Sequence, residues 1–229
     1  MSSLYDRAAV PVRQDLDTAH FETAQEWASP GNWWSATERL AMVNEVRRAR
    51  AADELPPWVA PTTVDGLIDD DHVLPKAAID AVWRLTNHSG TLTREWYDEI
   101  IERGLTPEQY VELVAVVATA NCIEVFGQAV GAEPIALPSP AEGRPDRELV
   151  AGAEPDTHWV PTTPDSGANV SKALSAVPVA ARAWRRLSDV QYLPFEALLG
   201  DLTWSRGALD RTQVELLAAR TSLLNECFY

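Results

Sequence analysis

Leu209-Asp-Arg-Thr-Gln-Val-Glu-Leu-Leu-Ala-Ala-Arg-Thr-Ser-Leu-Leu-Asn-Glu-Cys-Phe-Tyr229 is the stretch whose reading decides the fold. Asp210 is a good helix N-cap, because its side chain can accept from the first free amides. Val214, Leu217, Ala218, Thr221 and Leu224 then recur on one face at helical spacing. The same stretch has an earlier echo. Val111-Glu112-Leu113 matches Val214-Glu215-Leu216 at an offset of 103, which also lays Ala115 on Ala218 and Thr119 on Ser222. Trp83-Arg84-Leu85 is echoed by Trp184-Arg185-Arg186-Leu187. The chain therefore reads as two related helical halves, and the fold class as all-α.

Ser35-Ala-Thr-Glu38 is a capping box that opens a helix through Arg50, with Leu40, Val43 and Val46 inward and Arg47, Arg48 and Arg50 suited to its C-terminal end. Pro75 starts another helix, carrying Ala78, Val82 and Leu85 to about Asn87. Thr93 caps a third, with Trp96, Ile100 and Ile101 inward and Gly104 at its end. Thr106-Pro-Glu opens a long helix to about Val130 that is apolar almost all round, which predicts a central, buried element. Val170–Leu187 reads as one helix and Pro194–Leu199 as a short one.

Residues 1–34, with Trp27, Trp33 and Trp34 around Pro30-Gly31, read as an irregular arm lying over the body. Glu54–Leu74 reads as loop, and the proline-rich residues 132–168 as a strap or linker. The expected organisation is an arm and first half over 1–131, the strap over 132–168, and a second half over 169–229.

The formal charge is −15, from 34 acidic against 19 basic residues, which repels phosphate backbones and argues against nucleic acid as a partner. No stretch approaches the roughly 20 uninterrupted apolar residues of a membrane span, and the N-terminus has no apolar signal core. Two cysteines, Cys122 and Cys227, make no disulfide framework, so a reducing, cytoplasmic location is expected. No Gly-rich phosphate loop and no G-x-S-x-G elbow occurs, and no cofactor is expected. Asp69-Asp70-Asp71-His72 has the wrong spacing for metal ligands on a helix face and reads as a solvated acidic run. His20, His88 and His158 read as surface or loop residues, and Cys122 as a core residue.

Glu215, eleven intervening residues and then Cys227 resemble the E-x11-C-x2-C-x3-H pattern of the AhpD-like (carboxymuconolactone decarboxylase) superfamily. Leu209, Glu215 and Leu216 fit the helix opening L-x-x-R-x-x-E-L, but Thr212 stands where arginine would, with Arg211 one place early. Phe228-Tyr229 would be the two residues between the cysteines, so the second cysteine and the histidine fall beyond this chain. The resemblance implies an AhpD-like fold of two halves, the first degenerate and the second cut short. It implies a peroxide substrate, a dithiol reductant and a homo-oligomer. In the family the second cysteine attacks peroxide, the first resolves the sulfenic acid, and glutamate and histidine move protons. Cys227 is then the resolving position and Glu215 the relay carboxylate, with activity impaired or absent in the chain as it stands. Some members of a two-half branch resemble selenoproteins, which offers a cause for the stopping point: a selenocysteine codon read as stop.

A straight helix would hold Glu215 and Cys227 roughly 18 Å apart, so the chain must turn back before the cysteine. Asn225 is the expected turning residue, because asparagine tolerates left-handed conformations. Two other readings stand beside the peroxidase. One is a decarboxylase of the same superfamily that lacks the cysteine pair. The other is a non-catalytic helical protein that binds a partner or a second copy along an apolar strip of Leu217, Leu224 and Phe228.

Overall fold

The computed structural model describes residues 3–53, 71–87, 89–155, 157–164, 167–198 and 202–225. The architecture is all-α. The helices are α1 (Gln14–Trp27), α2 (Ala36–Ala51), α3 (Lys76–Asn87), α4 (Arg94–Glu102), α5 (Pro107–Ala129), α6 (Asn169–Lys172), α7 (Pro178–Gln191), α8 (Phe195–Leu198) and α9 (Arg211–Leu224). A 3₁₀ turn spans Ser89–Thr91. Two minimal antiparallel pairs, Glu154–Pro155 with Pro161–Thr162 and Ser205–Arg206 with Leu209–Asp210, close tight returns in the connections.

The helix starts follow from their caps. The Ser35 hydroxyl accepts from the Glu38 amide while the Glu38 carboxylate accepts from the Ser35 amide, so two otherwise orphaned donors are satisfied reciprocally. Thr106 with Gln109, and Asp210 with Gln213, make the same arrangement at the starts of α5 and α9. Thr93 accepts from the Trp96 amide to open α4.

α5 is the axis of the molecule, packed by α2, α3 and α7. Leu113, Val116, Val117, Ala120 and Ile123 lie in the main core with Met42, Val43 and Val46 of α2 and Ala78, Ile79 and Val82 of α3. Its length and mean hydropathy of 1.5 would suit a membrane span, but its surface is largely taken up by the neighbouring helices. Alone among the described helices it passes that test. The strap is laid across the body by backbone bonds from Ala141 N to Ala28 O (2.7 Å) and from Arg147 N to Asn32 O (2.8 Å). α7 then returns to pack on α1 and α5, and its Leu187 enters the main core.

Three expectations need correction. Residues 1–34 are not irregular throughout: α1 buries Leu16, Ala19, His20, Thr23, Ala24 and Trp27, a helical stripe built from small and polar side chains. Val170–Leu187 is not one helix. α6 ends at Lys172, and α7 begins anew at Pro178, whose ring suits the first helical position and holds the preceding Val177 extended (ψ 96°).

His20 is the third. It is fully buried, with Nδ1 bonded to the Tyr5 hydroxyl and Nε2 3.0 Å from the Gln191 amide, and its ring stands edge-on to Phe126. It therefore ties the N-terminal arm to α1, α5 and α7. Burial pushes its pKa down to about 4, the nearby Asp17 opposing only partly. In the unfolded chain the imidazole takes up its proton near pH 6.5, well before the folded protein does. Its contribution to stability is therefore complete above that pH and is lost as pH falls from 6.5 towards 4, by about 3 kcal/mol. Urea midpoints at neutral pH and near pH 4.5 check this. The wild type should lose more stability over that interval than His20→Phe, and equal losses would remove the argument.

Candidate functional site

Glu215 lies in the second turn of α9 with its side chain 41% exposed. The Tyr192 hydroxyl donates to its Oε2 at 2.6 Å, and Arg211, one turn earlier, donates from Nε to its Oε1 at 2.7 Å. Arg211 is itself fixed by donating to the Ala197 carbonyl (2.7 Å). The Tyr192 hydrogen bond, then Arg211, holds the Glu215 carboxyl below its ordinary range in spite of partial burial. The tyrosine responds in the opposite sense, pushed up to about 12 by burial and by the carboxylate it serves. The group is thus an ionised carboxylate oriented by two side chains, with Tyr192 a donor that keeps its proton at neutral pH. Arg211, four residues before Glu215, makes an i,i+4 pair with it on the same helix face.

The expected turn back before Cys227 falls on residues outside the described ones, but the helix before it has a defined end. α9 stops at Leu224, and Asn225 caps it, its amide and its side-chain Nδ2 both donating to the Thr221 carbonyl. The cap is not left-handed, as the sequence reading expected: φ is −95°, so the asparagine acts through its side chain and not through αL. Cys227 lies outside the described residues, as do Phe228 and Tyr229. Leu224 and Asn225 form one edge of a cleft of about 480 Å³ whose other walls come from the ends of α2, α3 and α5.

The earlier echo of Glu215 has a different environment. Glu112 on α5 is 1% exposed. Its Oε2 accepts from the Trp33 amide at 2.7 Å, the amides of Asn32 and Trp34 also serve it, and the Arg39 Nε is 3.5 Å from Oε1. Burial pushes the Glu112 carboxyl up, opposed by Arg39 and these backbone donors. The surrounding loop is anchored by the tryptophans: Trp27 donates to Thr119 Oγ1 (3.0 Å) and Trp34 to the Gln109 carbonyl (2.9 Å). Gly31 sits so close that a β-carbon there would stand 1.7 Å from Glu112 Oε1. This is a structural lock holding the loop before α2 against α5.

Cys122 packs against the main core, and burial pushes its thiol up, which makes it a poor nucleophile. His72 stands 3.4 Å from Glu45, while Asp69, Asp70 and His88 lie outside the described residues. Among the described residues no group of three acidic, histidine or cysteine side chains is placed to hold a metal. His158 lies in the loop between the two strands of the first pair, bonded to Thr157 and Asn169.

The fold and this site define a helical bundle that carries an oriented carboxylate on one face of a helix ending three residues before a cysteine. No family model, no curated protein and no solved structure matches the chain.

Proposed function

We propose that this chain is the greater part of an AhpD-like thiol or selenol peroxidase, with Glu215 as relay carboxylate, Cys227 as resolving residue and the attacking chalcogen at the position after Tyr229. The observation that carries the reading is the end of α9 at Leu224, capped by Asn225. Glu215 lies about 13.5 Å along the helix axis from Leu224 at 1.5 Å per residue. A following helix that opened at about Cys227, level with Leu224, and ran back along α9 would place the attacking position about 9 Å, and the motif's histidine only about 3 Å, in axial height from Glu215. The spacing E-x11-C-x2-C-x3-H then has a physical meaning. Glutamate and histidine face each other while the attacking atom sits at the helix N-terminus, where free amides and the dipole favour its anion. Glu215 acts on the reaction through that histidine and does not touch the sulfur.

The chemistry balances as follows. The anionic sulfur or selenium attacks the terminal oxygen of ROOH. The O–O bond breaks, and RO⁻ takes a proton from the relay and leaves as the alcohol. The Cys227 thiolate attacks the resulting S–OH or Se–OH, forming the S–S or S–Se bond. Hydroxide leaves as water with a second relayed proton, and an external dithiol restores the pair by exchange.

The test is peroxide consumption with a dithiol donor by the protein that carries the complete motif, with mass-spectrometric trapping of a bond between Cys227 and the attacking residue. Turnover together with that bond is expected. A protein that consumes no peroxide and forms no such bond would overturn the proposal. The second reading, a non-catalytic subunit-binding protein, is favoured by one observation: Leu216, Leu217, Leu223 and Leu224 of α9 are 68%, 55%, 75% and 71% exposed. An inactive protein whose self-association is abolished by Leu217→Glu would favour it.

A further inference from the structure

The segment before α1 is held to the body at several points, and the most buried of these contacts is made on His20. The Leu4 amide donates to Asp17 Oδ1 (2.9 Å), and the Ala9 amide to the Val130 carbonyl at the end of α5 (2.8 Å). Arg13 donates to the Val190 carbonyl on α7 (2.7 Å). Between these points Tyr5, itself buried, stands edge-on to Phe126 and to His20, with its hydroxyl on His20 Nδ1. Tyr5 thus covers one ring nitrogen, and Gln191 of α7 holds the other. A neutral imidazole, with one donor and one acceptor nitrogen, pairs with a hydroxyl and an amide in either tautomer. The cation has two donors. The Tyr5 oxygen must then accept and turn its own proton elsewhere, and Gln191 must present its oxygen. The groups around the ring do little to ease this. Tyr5 keeps its proton, because burial pushes its pKa up. Asp17, three residues earlier on α1, favours the cation but already accepts from Leu4. On α5, Glu124 acts on Tyr5 and is paired with Arg47 (2.6 Å), while α7 offers the neutral Gln191.

We infer that the Tyr5–His20 contact is an acid-sensitive latch: a proton on His20 releases the segment before α1, Tyr5 leaving its seat against Phe126, while the helical core stays folded. Release breaks the contacts just described and leaves α2, α3 and α5 packed on one another, so it requires less free energy than unfolding. Once Tyr5 lifts away, His20 Nδ1 meets water, and the ring takes up its proton in the ordinary range near pH 6.5. In the closed form burial delays that step to about pH 4. Between these two values protons bind the open form in preference. The opening constant therefore rises by up to about tenfold per pH unit, and by about 300-fold in all. The edge of Phe126 and the end of α5 are what the departing segment uncovers. Neither Cys227 nor any turnover enters this inference, so it stands independently of the peroxidase reading.

The experiment is amide hydrogen exchange of the 229-residue protein followed by NMR between pH 7 and pH 4.5, with each rate corrected for the intrinsic effect of pH. The protection of the Ala9 amide, which is bonded to Val130, is expected to fall about 60-fold over that interval. Val43 of α2 and Val82 of α3 lie in the main core and report on unfolding of the whole. Their amides should stay at least about tenfold better protected than Ala9 throughout, as a local opening requires. His20→Phe keeps a ring in the seat and His20→Gln keeps a hydrogen-bonding group, and neither titrates. Both should flatten the Ala9 profile to within about threefold. An Ala9 protection in the wild type that stays within about threefold from pH 7 to pH 4.5 overturns the inference. So does an Ala9 amide as well protected as Val43 and Val82, since the segment would then open only with the whole fold. Variants that keep the wild-type slope would move the proton to another group and overturn it equally. The first two outcomes are read on the wild type, so the test does not depend on the variants folding.

Discussion

Glu112→Ala is expected to lower the stability of the fold by about 3–5 kcal/mol, a large share of the ~5–15 kcal/mol that holds an average domain together. The alanine leaves the 3% exposed Arg39 guanidinium without its counter-charge, apart from its bond to the Ser29 carbonyl (2.9 Å). It also leaves the Trp33 amide, with those of Asn32 and Trp34, facing an empty space. A buried ion pair contributes little against a well-packed apolar pair, but removing one partner exposes the full desolvation cost of the other. Arg39→Met/Glu112→Gln should therefore recover most of the loss, because the neutral amide still accepts from Trp33 and no lone charge remains. Gly31→Ala reports on the same lock from the other side. Its β-carbon would collide with Glu112 Oε1, costing about 1–3 kcal/mol, and that cost should largely vanish when Glu112 is already alanine. Urea unfolding of the single and double variants measures all of this. A Glu112→Ala protein within about 1 kcal/mol of the wild type would show that the pair does not hold the loop.

How much of this was legible beforehand depends on where each constraint lives. Caps are local, so Ser35 with Glu38, Thr93, Thr106 and Asp210 placed four helix starts correctly. α1 was missed because its buried face carries His20 and Thr23 beside alanines; the Thr23 hydroxyl donates to the Ala19 carbonyl within the helix, but the histidine is satisfied by Tyr5 and Gln191 from elsewhere in the fold. A periodicity of hydrophobic residues does not reveal a stripe made tolerable by tertiary partners. The match of Val111-Glu112-Leu113 to Val214-Glu215-Leu216 equated two glutamates that the caps do not equate. Counted from Thr106 and Asp210, Glu112 sits one position further into its helix than Glu215 does. One position turns a side chain by about 100°, and this accompanies burial against the tryptophan loop in one case and a half-exposed place beside Tyr192 in the other. Tyr192 itself carried no signal, since it reaches Glu215 across a connection of irregular length. Arg211 did: its i,i+4 spacing to the glutamate was visible in the sequence.

Glu215→Gln in the protein that carries the complete motif is expected to reduce peroxide turnover by about 10²–10⁴-fold, the usual share of a positioned proton-transfer group. The amide keeps the shape and can still accept from Tyr192 at the same place, but it takes up no proton and orients no imidazolium. Loss of folding would not account for such a fall. Glu215 is 41% exposed, and removing its pair with Arg211 should change stability by less than about 1 kcal/mol. Tyr192→Phe separates positioning from proton transfer. Without the hydroxyl, the largest cause of the lowered Glu215 pKa is gone, so the carboxyl moves up towards its ordinary value of 4.5. The acid limb of the kcat/KM profile should move to higher pH by the same amount while the plateau rate falls only modestly. The sign is fixed: a donor to the ionised form favours that form, and its removal makes the group easier to protonate. A profile that stays in place, or a Glu215→Gln protein with undiminished turnover, would take Glu215 out of the reaction and leave the carboxylate as the anchor of a surface turn.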